Sequence, residues 1–465
     1  MTLITSISGI RGTIGGNTGQ NLTPLDAVKY SAAFAHLLQE NYPDQKQKVV
    51  IGRDGRMSGE ALLSLVSSTL LFMGVDVINL DLSTTPSVEM AVVHFEAQGG
   101  IILTASHNPK EWNALKLLNH KGEFISAEQG QRLLEIAASG NISFAGIEDL
   151  GKQTDIPGGF IQEHISAILK LPYLDKSLIA SRQFKVVVDG INSTGAIAVP
   201  SLLEALGVKN VELIHSEING NFAHNPEPLA EHLVDISEKV KSTGADLGIV
   251  VDPDVDRLAF VCEDGSMFGE EYTLVAAADF VLAKKGGNTV SNMSSTRALR
   301  DITEKAGFTY QSSAVGEVNV VEKMKKIGAL IGGEGNGGVI LPELHYGRDA
   351  LVGIALVLNL LAEKNIKMSE LRDSYPFYSI SKNKIELKPG MDVDALITKM
   401  QNKYASQPHS MLDGLKIEFG NEWVHLRKSN TEPIIRIYAE STSIDAASGL
   451  ALRFVKELKE LAGLD

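Results

Sequence analysis

The chain has 465 residues, 44% apolar and 22% charged, with a formal net charge of −14 and a pI near 5.3. That length suits about three or four domains of ordinary globular composition, and the acidic balance argues against a general nucleic-acid or anionic-membrane binder. The one cysteine, Cys262, excludes an internal disulfide and a multi-cysteine zinc site, and its apolar flanks predict a buried thiol.

No basic segment followed by an apolar core opens the chain, so no signal peptide is expected. The most apolar run, 351–361, is too short for a bilayer and contains Asn359. The expected location is the cytoplasm, with no membrane and no nucleic acid among the partners. In chain order, strands are predicted at 48–52, 75–80, 100–104, 184–189, 246–251 and 329–332. Amphipathic helical stretches at 25–39, 61–73, 196–206, 233–241 and 298–306 lie between them. This alternation predicts α/β units with mixed, mostly parallel sheets, whose ligands sit beyond the carboxyl ends of the strands.

The pattern comes in three rounds of similar size, read as three similar α/β domains at 1–153, 154–256 and 257–372. From 373 to 465 it changes: strands at 385–387, 415–419, 424–426 and 434–439 with helices at 393–404 and 446–461 predict a smaller C-terminal α+β domain. Residues 155–159 and 374–379 carry the Pro, Gly or aromatic residues expected of joins.

Four loops hold the chemistry. Ser106 and His107, in Thr104-Ala105-Ser106-His107-Asn108-Pro109, follow a buried strand and are closed by Asn-Pro, which displays a nucleophile on a rigid turn. Asp252, Asp254 and Asp256 alternate directly after another apolar strand, so three carboxylates converge on one hard cation; the spacing is not that of an EF-hand. Arg257 follows them and can offset charge or grip phosphate. Glu334 and Asn336, in the glycine run 332–338, offer acceptors and a donor to hydroxyl groups. Arg427, Ser429, Asn430 and Thr431, with Arg436 beyond Pro433, could surround a dianionic phosphate. Against these stand a solvated acidic turn, a flexible glycine loop and a solvated basic turn. Arg11 lies in a glycine turn near the N-terminus, whereas Arg53 and Arg56 are expected to be structural.

Taken in order, the four loops resemble those of the α-D-phosphohexomutases, the phosphoglucomutases, phosphomannomutases and phosphoglucosamine mutases, and the resemblance runs the length of the chain. It implies three similar α/β domains and a smaller fourth around a central cleft, and a sugar-phosphate substrate. It further implies a phosphorylated Ser106, Mg2+ held by that phosphate with Asp252, Asp254 and Asp256, and transfer through a sugar 1,6-bisphosphate. Glucose or glucosamine 1,6-bisphosphate is the implied activator, and a monomer or homodimer the implied assembly. Lys116 matches a family lysine near the serine and, with Arg11 and His107, is assigned to proton handling and charge stabilisation. Glu334 is assigned to the sugar hydroxyls, and Arg427, Ser429, Asn430, Thr431 and Arg436 to the phosphate that is not reacting.

The sugar loop departs from the family pattern. Asn336 stands where serine is usual and Gly338 where histidine is, leaving His345 or Arg348 to supply that role if it is kept. The phosphate loop is mixed: Thr431, Glu432, Pro433 and Arg436 look like the glucosamine enzymes, Asn430 like the glucose and mannose ones. Glucosamine phosphate is the expected substrate, with glucose or mannose phosphate as the alternative. A serine phosphatase and a non-catalytic sugar-phosphate binder are the competing classes.

Overall fold

The computed structural model describes residues 2–6, 9–387, 391–428 and 434–463. The backbone divides into two compact units, Met1–Thr273 with Gly337–Ser369, and Leu274–Asn336 with Glu370–Asp465.

The first unit begins with a seven-stranded sheet of β1 (Ile4–Ser6), β2 (Gly9–Thr13), β3 (Lys48–Arg53), β4 (Asp76–Leu82), β5 (Gly99–Leu103), β6 (Trp112–Asn119) and β7 (Gln153–Asp155). Its order is β1-β2-β6-β5-β3-β4-β7. β3 pairs in parallel with both β4 and β5, and β6 closes antiparallel on β5. β8 (Lys185–Asp189), β9 (Asn210–Ile214), β10 (Leu247–Val251) and β11 (Leu258–Cys262) form a second sheet, β11-β10-β8-β9, with the same order and strand senses as β6-β5-β3-β4. In the second unit, β12 (Thr289–Asn292) lies parallel between β13 (Tyr310–Ser313) and β14 (Ile331–Glu334), as β3 lies between β4 and β5. The three rounds of the sequence are thus one topology repeated. Ser106 follows β5, Asp252 follows β10 and Glu334 ends β14, so each chemical loop leaves the third strand of its round.

These third strands are apolar because helices cover both faces of a parallel sheet; every residue of β5 and of β10 is buried. The packing leaves no room to spare: a Cβ on Gly100 would lie 2.6 Å from Val92 Cγ2, in the helix Thr85–His94.

β15 (Gly338–Ile340) returns to the first unit and leads to the helix Ala350–Lys364, capped by Asp349. That helix contains the run singled out above, and it is buried nearly all round. Asn359 is tolerated inside it because its Oδ1 accepts the Asp175 N–H at 2.6 Å and its Nδ2 donates to Glu363 at 3.2 Å. No helix among the described residues is long and apolar enough to cross a membrane.

The C-terminal part of the second unit is an antiparallel sheet, β16-β20-β19-β18-β17, of β16 (Ser379–Glu386), β17 (His409–Ser410), β18 (Leu415–Phe419), β19 (Glu422–Lys428) and β20 (Ile434–Ser441). The helices Val393–Lys403 and Ile444–Ala462 supply Met400 and Phe454 to one core with Ile417, Val424 and Ile437. This is the smaller α+β element expected at the C-terminus. At the first expected join, Asp155 still pairs with Asn79 as the last residue of β7.

Candidate active site

Ser106 is buried and holds φ at 48°, a left-handed conformation that costs a non-glycine residue free energy and marks functional turns. Its N–H donates to Thr104 Oγ1 at 2.9 Å, and that hydroxyl donates to Asp54 Oδ2 at 2.7 Å. Arg56 fastens the rest of the turn. Its Nε donates to Asp54 at 3.0 Å, Nη1 to the carbonyls of Pro109 and Trp112 at 2.8 Å, and Nη2 to those of Ser106 at 2.6 Å and Asn108 at 2.7 Å. All five guanidinium N–H groups are used. Arg53, by contrast, reaches Asp81 and Glu60. Both arginines are structural, as the sequence suggests, but Arg56 shapes the Ser106 loop itself.

The aspartate loop follows β10, with Val255 at φ 60°, a rare conformation for a β-branched residue. Three successive carbonyls of this loop are held by the N-terminal ends of three helices. Pro253 O accepts from the hydroxyls of Ser193 at 2.6 Å and Thr194 at 2.9 Å, just ahead of the helix Gly195–Ala205. Asp254 O accepts the N–H of Thr85 at 2.9 Å, and Val255 O that of Ala350 at 3.2 Å. The positive ends of three helix dipoles therefore meet where three carboxylates, Asp252, Asp254 and Asp256, are buried completely.

The carboxylates face Ser106 and a set of cationic side chains. Ser106 Oγ donates to Asp252 Oδ2 at 2.6 Å, while Asp252 Oδ1 accepts the N–H groups of Asp256 and Arg257. Lys116 Nζ, carried by β6, lies 2.7 Å from Asp254 Oδ2 and 3.6 Å from Asp256 Oδ2. Thr85 Oγ1 also donates to Asp254 Oδ2, and Arg348 Nη2 donates to Asp256 Oδ2 at 2.6 Å. Arg257 Nε stands 3.9 Å from Asp256 and 4.0 Å from Asp252, with Nη1 toward Glu227. Burial pushes the Asp252 carboxyl well up, and its neighbours Asp256 and Asp254 push it further. Burial acts the same way on Asp254, but Lys116 and Thr85 outweigh it and hold that carboxyl below its usual range. Burial pulls Lys116 down, and Asp254 and Asp256 more than reverse this, so its ammonium is kept.

Asp254 Oδ1 and Asp256 Oδ1 are buried without a hydrogen-bond partner, and the three carboxylates each place an oxygen within 4.8 Å of the others. Hard oxygens left unsatisfied at that spacing fit a hard divalent cation, with Ser106 Oγ beside them.

His107 does not pair with its neighbour: Ser106 donates to Asp252, and His107 Nδ1 has no hydrogen-bond partner. Burial, then Arg257, lowers the His107 imidazole well below its ordinary value. Arg11, on β2, is shifted down by burial and by Arg257, which places the two guanidiniums in one electrostatic neighbourhood. Of the two residues considered for the missing histidine's role, Arg348 reaches the aspartate loop. His345 turns away into a buried pair with Glu89 and Asp349.

In the second unit, Glu334 is buried at the end of β14. Its Oε1 accepts Asn292 Nδ2 at 2.8 Å and the Gly316 N–H at 3.0 Å, and Asn336 Nδ2 reaches Oε2 at 3.4 Å. Arg427 and Arg436 are direct cross-strand partners on β19 and β20, a like-charge pairing that disfavours a bare sheet and favours an anion nearby. Arg427 Nε is also held 2.8 Å from Asp413. Ser429, Asn430 and Thr431 lie outside the described residues.

The alternating motifs, the repeated topology and the carboxylate cage agree with the comparison to known families. Models of phosphoglucomutase/phosphomannomutase α/β/α domains I, II and III match residues 3–142, 162–265 and 269–378, and the model of the family's C-terminal domain matches 379–457. The chain belongs to the phosphoglucomutase/phosphomannomutase family. It is a phosphohexomutase, an intramolecular phosphotransferase. A phosphoglucomutase/phosphomannomutase of Thermococcus kodakarensis is 36% identical over 97% of this chain and 98% of its own length. A phosphoglucosamine/phosphogalactosamine mutase of Sulfurisphaera tokodaii is 32% identical over 97% of each. The crystal structure of a phosphoglucomutase/phosphomannomutase family protein from Burkholderia thailandensis superposes with a TM-score of 0.83 at 26% identity, covering 99% of this chain and 98% of that one.

Three contributors were understated by sequence reading: Arg56, Thr85 and Arg348. Thr85 is legible in retrospect, since Thr84-Thr85-Pro86 announces a helix start; Arg348 precedes the capping Asp349 in the same way.

Proposed function

We propose that this phosphohexomutase interconverts glucosamine 6-phosphate and glucosamine 1-phosphate through phosphorylated Ser106 and a sugar 1,6-bisphosphate. The observation that carries the reading is Ser106 Oγ on a strained turn, 2.6 Å from Asp252 in a cage of buried carboxylates. In the first transfer a P–O bond to the free sugar hydroxyl forms as the Ser106 Oγ–P bond breaks; the sugar hydroxyl gives up its proton and Ser106 Oγ takes one up. In the second, Ser106 Oγ gives up its proton and bonds the other phosphate as that phosphate's bond to the sugar oxygen breaks, and the sugar oxygen regains a proton. Mg2+ held by Asp252, Asp254, Asp256 and a phosphate oxygen would neutralise charge on the transferring group. Lys116 supplies fixed positive charge from between Asp254 and Asp256, and His107 and Arg11 are the remaining candidates for proton handling. Glu334 and Asn336 hold sugar hydroxyls. Arg427 and Arg436, with Ser429, Asn430 and Thr431, grip the phosphate that is not reacting. Glucose or glucosamine 1,6-bisphosphate primes Ser106.

The choice of aminosugar rests on Arg436 and the Thr-Glu-Pro run of the phosphate loop, and on the name of the Sulfurisphaera relative. The name of the Thermococcus relative favours a second reading, glucose or mannose phosphate. Phosphorus NMR of the purified protein with Mg2+ and a trace of sugar 1,6-bisphosphate, run on glucosamine, glucose, mannose and N-acetylglucosamine 6-phosphates in parallel, decides between them. Fastest conversion of glucosamine 6-phosphate to its 1-phosphate, without free phosphate, is the expected result. Faster conversion of glucose or mannose 6-phosphate installs the second reading, and free phosphate from every sugar defeats both.

A further inference from the structure

Asp189, His215 and His224 form a second cluster of metal-binding side chains, with ligand atoms all within 4.8 Å of one another. Asp189 ends β8, and His215 directly follows its parallel neighbour β9, so the cluster stands at the carboxyl ends of two parallel strands. His215 Nδ1 lies 3.0 Å from each Asp189 oxygen, and His224 Nε2 lies 2.9 Å from Asp189 Oδ2. A tetrahedral ion with bonds of about 2.0–2.1 Å separates its ligand atoms by about 3.3 Å. The two nitrogen–oxygen edges seen here need to open by only a few tenths of an ångström.

The hydrogen-bond chemistry of the rings points the same way. His224 Nδ1 faces the carbonyl oxygen of Asn225 at 2.8 Å, so that nitrogen carries a proton, and Nε2 is the nitrogen aimed at Asp189. An imidazole anchored through one N–H to a backbone carbonyl, with the other nitrogen toward a carboxylate, is the arrangement of a metal-ligating histidine and its outer partner. His215 is disposed alike, with Nε2 3.4 Å from Asp235 and Nδ1 on Asp189. Every ring nitrogen of the pair thus faces an oxygen acceptor, and one cation at the centre replaces the two protons this would otherwise demand. Asp189 is fixed by the Ile191 N–H on its Oδ1 at 2.9 Å. Ile191, Asn192 and His215 all hold φ between 44° and 52°, so the turns that bring the ligands together are strained.

We propose that Asp189, His215 and His224 bind a divalent transition-metal ion of the zinc type, distinct from the cation of the aspartate loop. Two imidazoles and one carboxylate select borderline ions, whereas three carboxylates select magnesium, so the two sites sort their metals by ligand chemistry. The partial exposure of both histidines leaves room for water as the fourth ligand. The site has a structural consequence. Between its two histidine ligands, the loop packs Phe222 over the Arg56 guanidinium at 5.0 Å and accepts Lys110 Nζ on Asn221 at 2.8 Å. The ion staples this loop to β8, and the loop covers the arginine that shapes the Ser106 turn.

The test uses the full chain, stripped with chelator, then titrated with Zn2+ alone in excess Mg2+ and followed by calorimetry and elemental analysis. One equivalent bound by the native chain, and weakened about a hundredfold in both His215→Gln and His224→Gln with circular dichroism unchanged, is the expected result. Co2+ in the native chain is expected to give the visible absorption of an imidazole-ligated tetrahedral site, a readout that needs no variant. Absence of a Zn2+ equivalent in the native chain, or zinc affinity unaltered in both variants, overturns the proposal and leaves the cluster as two protonated histidines around one carboxylate.

Discussion

Among the buried charge clusters of the first unit, the aspartate loop and the one around Asp349 handle their charge in opposite ways. In the aspartate loop, Asp254 and Asp256 each keep one oxygen buried and unsatisfied, beside a serine on a strained turn. In the Asp349 cluster, His164 bonds Ser87 through Nδ1 at 3.0 Å and Asp349 through Nε2 at 2.8 Å, and His345 spans Asp349 at 3.3 Å and Glu89 at 3.2 Å. The remaining Asp349 oxygen caps the helix Ala350–Lys364 by accepting the N–H groups of Leu351 and Val352. A closed cluster fixes elements in place; an open one costs folding free energy that is recovered when a ligand arrives. The two are joined by backbone. Thr85 and Ser87 sit on one helix, and Arg348 and Asp349 are adjacent, so the closed cluster orients two groups that touch the open one.

Removing the Ser106 hydroxyl gives the largest expected effect and tests the open cluster directly. Ser106→Ala deletes the atom proposed to accept phosphate, so turnover is expected to fall by about 10⁴-fold or more with little change in thermal stability. Label from a bisphosphate should no longer enter the protein. Turnover that survives Ser106→Ala would show that the open cluster is not where phosphate is held.

Arg348→Met separates the roles of the two clusters. It leaves Asp256 with a buried charge short of its shortest ion pair, and such a loss costs about 3–5 kcal/mol. Because the deficit is on a candidate metal ligand, added Mg2+ should restore more stability to this variant than to the native chain. Urea unfolding with and without Mg2+ measures it; equal Mg2+ effects in the two proteins would place Arg348 outside the open cluster's electrostatics.

The closed cluster should answer to pH instead of metal. Burial lowers the His345 imidazole, but Asp349 and Glu89, as hydrogen-bond acceptors and as charges, more than compensate and raise it from 6.5 to about 10. A raised histidine stabilises fully below its unfolded value and loses that contribution as pH climbs toward its folded value. Stability should therefore fall between pH 6.5 and about 10, with a slope of at most about 1.4 kcal/mol per pH unit. Urea midpoints at pH 7 and 8.5 should differ more in the native chain than in His345→Gln, where the raised His215 and His224 leave a smaller dependence. A native profile that is flat across this range would mean that the cluster holds a neutral imidazole.

Much of this was legible in the residues, for physical reasons that differ by element. Strands buried on both faces, such as Leu247–Val251, announce themselves as continuous apolar runs, and the chemical loops follow them directly. Thr289–Asn292 and Tyr310–Ser313 escaped because short, hydroxyl-rich strands carry neither an apolar run nor a clear alternation. Ser106 and the three aspartates could be read from their spacing, whereas Arg56 could not: five N–H groups converge on carbonyls and a carboxylate that only the tertiary fold assembles. His345 was open to two readings until its partners from the helix Thr85–His94 and from Asp349 were in place.

The smallest effect comes from Gly347, between the two clusters in sequence. Its φ is not left-handed, so backbone freedom does not explain a glycine there. Space does: a Cβ would fall on the Glu89 carboxylate, the group that holds His345 Nδ1. Gly347→Ala must push Glu89 aside within a fully packed site, an overpacking cost of about 1–2 kcal/mol. The neighbouring Arg348 keeps its ion pair with Asp256, so the chemistry of the open cluster should survive nearly intact. Thermal unfolding of Gly347→Ala should show the loss, and its pH dependence between 7 and 8.5 should flatten because the displaced Glu89 no longer supports the imidazolium. A drop in kcat exceeding the drop in stability would mean that the closed cluster reaches further into catalysis than the orientation of Thr85 and Arg348.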